Sequence, residues 1–160
     1  MKRKVLKYTL LFSFITLQLV VDVGFVAIQF VKVERSNPEP KGTHGVTPKV
    51  DAIFRRACYD CHSNEVRWPW YSYIAPISWT IEEHVIDGRK HLNFSTLHLL
   101  KPQRQMHKLE EVIDEVSAGS MPIEDYLKVH EDAELTDAEV DTVTKWCEER
   151  RDEIKSNRKR

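Results

Sequence analysis

The sequence is poor in cysteine, with three among its 160 residues. A small and odd number excludes a disulfide-scaffolded miniprotein, which pairs several cysteines within a short chain. Two of the three form a Cys-x-x-Cys pair at Cys58 and Cys61, and Cys147 stands alone. The pair is followed at once by His62, so the sequence indicates one local site whose chemistry has to be identified.

The chain also lacks an excess of positive charge. It has 24 lysines and arginines against 25 aspartates and glutamates, which gives a formal net charge of −1. Residues 41–160 alone carry 18 basic and 22 acidic side chains. A nucleic-acid-binding domain is expected to show a basic patch or stripe. We therefore expect no nucleic-acid partner.

Strand patterns are missing as well: no long stretch alternates apolar and polar residues, and there is no internal repeat. Apolar residues recur at helical spacing instead. Thr47 before Pro48 is typical of a helix start, and Thr136 with Glu139 forms a capping box. The predicted helices run from Thr47 to Cys58, from Pro76 to Gly88, from about Arg104 to Ser117, and onward from Thr136. We predict an all-α fold of four or five short helices.

One long apolar run is present, from Tyr8 to about Val33, and four basic residues precede it. A helix of this length crosses about 30 Å of hydrocarbon at about 1.5 Å per residue. A cleaved signal peptide has a similar pattern, but no small-x-small cleavage site follows, which favours a retained anchor. The basic start predicts a cytoplasmic N-terminus and an exported domain. Asp22 is a misfit in this run, and we interpret it as tolerated by its apolar neighbours.

Three chemistries compete for Cys58, Cys61 and His62. A structural zinc site needs four ligands, commonly two pairs, and no second pair is present. A thioredoxin-like dithiol lies in a strand-to-helix turn, whereas a predicted helix precedes this motif. The pattern C-x-x-C-H is typical of covalent haem attachment, with two thioethers and an adjacent histidine that faces the iron. We predict haem c bound through Cys58 and Cys61, with His62 as an iron ligand.

The second iron ligand is predicted to be Met121. It follows a helix stop and precedes Pro122, in a loop where core packing does not account for an apolar thioether. His84, on one face of the second predicted helix, is the next candidate. Met106 lies on an apolar stripe and is expected to pack in the core. The other histidines considered are His44, His91, His98, His107 and His130.

An aromatic segment, WPWYSYIAPISW, follows the haem motif from Trp68 to Trp79. A flat apolar porphyrin needs aromatic packing and a few polar donors, so we expect this segment to form much of the haem wall. Arg67 and Arg89 are candidate donors to the propionates. Cys147, on the last helix, is expected to be a buried structural thiol.

Four stretches together resemble the bacterial haem-binding domain family, which comprises small single-haem c-type proteins. They are CYDCHSNEVRWPWYSYIAPISW, GRKHLNFS, GSMPIEDYLKVH and LTDAEVDTVTKW, and they span roughly Val46 to Trp146. The resemblance implies a cytochrome c-like helical fold, covalent haem at Cys58 and Cys61, and His62 as proximal ligand. Met121 with Pro122 matches the family's distal-ligand position. Asp22 and Cys147 have no counterpart in it, and the family does not define a physiological role.

These observations predict a membrane-anchored, extracytoplasmic single-haem cytochrome that exchanges one electron with a redox protein or a membrane respiratory complex. Membrane lipid would surround the N-terminal helix. The alternatives are a haem enzyme or a gas or peroxide sensor with an open or labile sixth iron position, and a haem-bearing docking module. The predicted organisation is a membrane anchor over residues 1–33, a tether over 34–46, the c-type cytochrome domain over 47–155 and a polar tail over 156–160.

Overall fold

The structure, a computed structural model, describes residues 2–158. It is 68% helical and has no strand within that range, so the all-α prediction is confirmed. The α-helices are α1 (Lys2–Ile28), α2 (Pro48–Ala57), α3 (Tyr59–His62), α4 (Ile77–His91), α5 (Pro102–Ser117), α6 (Glu124–Leu127) and α7 (Asp137–Arg158). Single 3₁₀ turns lie at Trp70–Tyr73, Leu97–Leu99 and Glu131–Ala133.

The chain forms two compact units. The first contains the chain up to Glu34 together with Pro69–Glu82, and the second contains Arg35–Trp68 together with the chain from Glu83 onward. Helix α4 therefore begins in the first unit and ends in the second. The predicted anchor belongs to the first unit and the Cys-x-x-Cys-His motif to the second.

Helix α1 is the main element of the first unit. Its 23 residues Leu6–Ile28 are long and apolar enough to cross a membrane, because they extend about 35 Å at about 1.5 Å per residue. The Asp22 carboxylate accepts a hydrogen bond of 2.9 Å from the side-chain amide of Gln18, one turn earlier. This partner on the same helix reduces the cost of placing an acidic side chain in an apolar run.

Directly after α1, the side-chain amide of Gln29 pairs with the backbone of Ala75. Its Nε2 donates to the Ala75 carbonyl at 3.2 Å, and its Oε1 accepts from the Ala75 N–H at 2.9 Å. A little further on, the Glu34 N–H donates to the Glu82 carboxylate. These bonds attach the segment Pro69–Glu82 to the end of the apolar helix.

The core of the second unit lies between α2, α5 and α7. Phe54 is fully buried, stacks on Phe94 at a ring distance of 4.4 Å and meets Trp146 edge-on at 5.3 Å. The main apolar side chains around them are Val50, Ile53, Tyr59, Leu109, Val112, Val116, Val143 and Ile154. Cys147 is buried in the same cluster, as predicted.

Local signals set the helix starts as the sequence predicted. The Thr47 hydroxyl accepts from the Val50 N–H at 3.4 Å, with Pro48 as the first residue of α2. At the start of α7, the Thr136 hydroxyl accepts from the Glu139 N–H at 3.3 Å, and the Glu139 carboxylate accepts from the Thr136 N–H at 3.0 Å. Both caps satisfy backbone donors that the first turn of a helix leaves free.

The predicted end of the second helix at Gly88 is wrong, because α4 continues to His91. A Cβ atom at Gly88 would lie 2.7 Å from the carbonyl oxygen of Cys61 and 3.0 Å from its Cβ. The glycine therefore allows α4 to approach the backbone of α3 closely, and it does not terminate the helix.

The polar segment predicted as a tether forms hydrogen bonds within the second unit. Asn37 donates to the Val66 carbonyl at 2.9 Å and accepts from the Val66 N–H at 3.0 Å. The Gly45 carbonyl accepts from the indole of Trp146 at 3.1 Å. Residues 37–45 therefore contact the helical domain at both of these points.

Candidate functional site

A cavity of about 510 Å³ lies in the second unit. This volume is within the range of about 300–1,000 Å³ that is usual for small-molecule sites. Its walls come from α3, the second half of α4, α5 and the loop that leads into α6. The residues predicted to hold the cofactor and its iron all line it: Cys58, Cys61, His62 and Met121.

The backbone at the end of α2 brings the two cysteines to one side. The Cys58 N–H donates to the Phe54 carbonyl at 2.8 Å, and the Cys58 carbonyl accepts from the His62 N–H at 2.9 Å. Cys58 therefore ends α2 and begins the single turn α3. Residues three apart in a helical turn share a face, which explains why both thiols reach the same cavity.

Both thiols are protonated at neutral pH. Burial raises the pKa of the Cys58 thiol to about 12 and that of the Cys61 thiol to about 11. A catalytic dithiol needs a lowered thiol pKa so that thiolate is available. No three histidine, cysteine or acidic side chains among residues 2–158 are placed as a metal-binding group. The raised pKa values of the two thiols disfavour the dithiol alternative.

The ring of His62 is oriented by α4. Its Nδ1 lies 2.9 Å from the Gly88 carbonyl oxygen and 3.1 Å from that of Leu92. Carbonyl oxygens only accept, so Nδ1 carries the proton and Nε2 keeps a lone pair. Burial lowers the pKa of His62, which favours the neutral ring. Metal-binding histidines are commonly held in this way by a hydrogen bond at the other ring nitrogen.

Met121 reaches the cavity through a sharp turn after α5. Gly119 has a φ of +67°, a left-handed conformation that glycine adopts at low cost. The Ser120 N–H then donates to the Glu115 carbonyl at 3.0 Å, and the Met121 N–H donates to the same carbonyl at 3.3 Å. Met121, Pro122 and Ile123 follow as cavity-lining residues.

A hydrogen bond connects this loop to the Cys-x-x-Cys turn. The Tyr126 hydroxyl donates to the carboxylate of Asp60, which lies between the two cysteines, at 2.9 Å. The Asp60 carboxylate, 13% exposed, also accepts from Arg67. Burial and the charge of Asp60 raise the pKa of Tyr126, so its hydroxyl stays a donor. The sequence patterns do not reveal this contact, although Tyr126 is part of the same loop motif as Met121.

We expect Tyr126→Phe to lower the free energy of unfolding by about 1–3 kcal/mol, because the partly buried Asp60 carboxylate loses a donor. Urea unfolding of the wild type, Tyr126→Phe, Asp60→Asn and the double variant measures the coupling. The two single effects should not add, since both remove the same bond. Additive effects would contradict this assignment.

Charged side chains form part of the cavity lining. Lys108 donates to the Glu111 carboxylate at 2.6 Å, and Asp87 and Glu115 also line the cavity. His84, the alternative iron ligand, lies there too, as does His91.

The other sulfur and imidazole groups considered as ligands are engaged elsewhere. Met106 packs against the core, and His107 pairs with Glu111 at 3.2 Å. His130 stacks on Tyr126, and His44 stacks on His98 at a ring distance of 3.7 Å. None of these five side chains lines the described cavity.

The apolar surface of the described cavity is formed by Leu92, Phe94, Val112, Val116, Ile123 and Leu135. The haem wall predicted from Trp68 to Trp79 stays a prediction, because Pro69–Glu82 belongs to the first unit and the cavity lies within the second. The two candidate propionate donors are used differently. Arg67 bonds Asp60, and Arg89 donates to the carbonyls of Ser63 and Ser36.

Comparison with known protein families gives one match. The model of a family described as a haem-binding domain matches residues 23–149, a range that includes every residue lining the cavity. Comparisons with curated proteins and with solved structures gave no match. The cavity fits the group that this family binds, because it combines paired thiols, an imidazole with a lone pair on Nε2, a thioether and apolar walls.

Proposed function

This chain belongs to the haem-binding domain family, and we propose that it is a membrane-anchored, extracytoplasmic c-type cytochrome with one haem. In this proposal its cytochrome c-like helical domain transfers single electrons. The observation that carries the proposal is the convergence of Cys58, Cys61, His62 and Met121 on one cavity. A covalently bound, six-coordinate haem needs two thiols for attachment and two iron ligands, here an imidazole and a thioether.

Attachment would use the two thiols. The S–H group of Cys58 and that of Cys61 each add across one vinyl group of the porphyrin, so that two thioethers form and no leaving group is released. The position of both thiols on one face of a helical turn, lining the same cavity, supports this role. The bound haem would supply one-electron chemistry at its iron.

The iron would be held by His62 and Met121. His62 would supply its Nε2 lone pair, and the hydrogen bonds from Nδ1 keep the ring from turning. Met121 would supply its thioether as the second protein ligand. A histidine–methionine pair raises the reduction potential, so we expect a positive value.

Export is supported by the N-terminal segment. Helix α1 is apolar enough to cross a membrane, and basic residues precede its apolar part. By the positive-inside rule the domain then lies outside the cytoplasm, where c-type haem is attached. Its electron partner would be another redox protein or a membrane respiratory complex.

A second candidate function is a haem enzyme or a sensor of a gas or peroxide. His84 and His91 line the same cavity as Met121, so imidazole groups would be available in the cavity to a small ligand that displaced Met121. The two functions differ in whether an added ligand can reach the iron.

Carbon monoxide binding distinguishes them. If the Met121 sulfur is bound to the iron about 99% of the time, the apparent Kd of a competing ligand rises about 100-fold. Met121→Ala removes that competition. We expect reduced full-length wild type to show little change in its absorption spectrum at neutral pH, and Met121→Ala to bind carbon monoxide about 100-fold more tightly.

Met106→Ala is the matched control. This second methionine is partly buried but packs against the core and not in the cavity. The absorption spectrum of Met106→Ala should therefore match that of the wild type. Equal, tight carbon monoxide binding by wild type and Met121→Ala would refute the electron-transfer proposal and favour the sensor. Reoxidation of the reduced wild type by a small soluble cytochrome would support electron transfer directly.

A further inference from the structure

The aromatic segment after the haem motif lies in the first unit, and its surface is unusual. The nine residues PWYSYIAPI, Pro69–Ile77, contain no charged side chain. Four of them are exposed and form what we call the aromatic patch: Trp70 (75%), Tyr73 (60%), Ile74 (37%) and Ile77 (52%). Four exposed apolar side chains so close together in the sequence, with no charge among them, mark a candidate interaction site.

The local backbone conformation keeps this patch exposed. Trp70–Tyr73 is a 3₁₀ turn, and the buried Ser72 hydroxyl within it donates to the Pro69 carbonyl at 2.6 Å. Trp70 packs edge-on against Tyr71 at a ring distance of 5.8 Å. The turn therefore holds Trp70 and Tyr73 outward in a defined geometry.

The position of the patch along the membrane normal follows from Gln29. This residue comes directly after the apolar stretch Leu6–Ile28, and its amide makes two hydrogen bonds to the backbone of Ala75. Ala75 lies in the chain between Ile74 and Ile77. If the apolar stretch crosses the bilayer, then Gln29 and the aromatic patch lie where hydrocarbon gives way to headgroups.

We propose that the aromatic patch inserts into the headgroup layer of the same phospholipid membrane that α1 crosses. Tryptophan and tyrosine are enriched at that level, because their rings are apolar and their N–H or O–H groups reach polar partners. The segment carries no charge, so the proposed surface binds neutral phospholipid and does not depend on anionic lipid. Phe30, 83% exposed, and Val31, 53% exposed, extend the apolar surface on the α1 side.

Lipid fits this patch better than a protein partner because of where the patch is attached. A protein-binding surface can lie anywhere on a domain, whereas the segment that carries this patch is hydrogen-bonded to Gln29, the residue directly after an apolar helix. The inference rests on the membrane anchoring in the proposed function, and it adds a second membrane contact that is distant in sequence from the anchor.

The test is photolabelling of the full-length haem-loaded protein in phosphatidylcholine vesicles. The probe is a phosphatidylcholine with a diazirine near the carbonyl end of one acyl chain, and mass spectrometry maps the labelled peptides. We expect label on α1 and also on the peptide containing Pro69–Ile77. In Trp70→Ser/Tyr73→Ser, label on that peptide should fall about tenfold, a change equivalent to about 1.4 kcal/mol, while label on α1 is unchanged.

A matched control replaces two exposed apolar residues of the second unit, Leu99 (64%) and Val129 (61%). Leu99→Ser/Val129→Ser should leave labelling of Pro69–Ile77 unchanged, and both double variants should keep covalent haem. Label on α1 but not on Pro69–Ile77 would overturn the proposal and leave the anchor intact. Label on neither would remove its premise. If Pro69–Ile77 takes no label in vesicles but is protected from proteolysis in native membranes, a protein covers the segment. That result would also overturn the proposal.

Discussion

A full-length chain with Cys58→Ala and Cys61→Ala is expected to show no haem stain on a denaturing gel, while the wild type stains. Both chains would be produced in cells that carry the c-type maturation machinery. Denaturation removes haem held only by packing or by iron ligands, so the stain reports thioether bonds alone. Because the two thiols line the same cavity and no other thiol does among the described residues, their loss should abolish the stain completely.

Cys147→Ala is the control for this experiment. Cys147 is a free thiol like the other two, but it is buried in the core between α5 and α7 and does not line the cavity. This variant should stain like the wild type. Soluble, folded wild-type protein without stain would exclude covalent haem and return the dithiol to consideration. A stained double variant would place the attachment elsewhere.

The second large effect is expected at Gly88, where Gly88→Ala should lower both stability and haem content. A new Cβ would lie 2.7 Å from the Cys61 carbonyl oxygen. That contact is with backbone and cannot be relieved by a side-chain rotation, and overpacking of this kind costs about 1–3 kcal/mol. Displacement of α4 would also remove the Gly88 carbonyl from Nδ1 of His62, so the proposed iron ligand would lose one of the hydrogen bonds that orient its ring.

The direction of the stability change at Gly88 distinguishes a steric contact from helix propensity. Alanine is favoured over glycine in a helix interior by about 0.8–1 kcal/mol, so helix propensity alone predicts that Gly88→Ala stabilises the protein. Gly24→Ala is the matched control, because Gly24 also lies within a helix but a Cβ added there would meet nothing within 4 Å. Thermal stability and the ratio of haem to protein absorbance should fall for Gly88→Ala and should not fall for Gly24→Ala. A Gly88→Ala protein as stable as the wild type would refute the close-contact argument.

The parts that were predictable from sequence depend on neighbours along the chain. The caps at Thr47 and Thr136 use donors three residues away, so local sequence is enough to locate both helix starts. Cys58, Cys61 and His62 lie within five residues, and a single turn of helix is enough to bring them together. Met121 was predicted from a different local signal, an apolar side chain in a loop after a helix stop, and the structure brings it to the same cavity.

The parts that were not predictable depend on contacts between distant segments. A glycine can end a helix or allow a close approach, since both uses require the lack of a Cβ, and only the position of Cys61 decides between them at Gly88. The Tyr126–Asp60 bond joins residues 66 apart in the chain. For the aromatic segment, composition indicated the apolar character correctly but not the direction in which Trp70 and Tyr73 face.

The acidic lining of the cavity has a consequence for the speed of electron exchange in the proposed cytochrome. Asp60, Asp87, Glu111 and Glu115 contribute four carboxylates there, against one ammonium group at Lys108. Asp60 is paired with Arg67 and Glu111 with Lys108, which leaves Asp87 and Glu115 as the main acidic groups available to a basic contact surface on a redox partner. In the proposed cytochrome, attraction to such a partner would act over about a Debye length, roughly 10 Å at 0.1 M salt. Ionic strength would then affect how often the proposed cytochrome and such a partner meet, so added salt would slow their electron exchange.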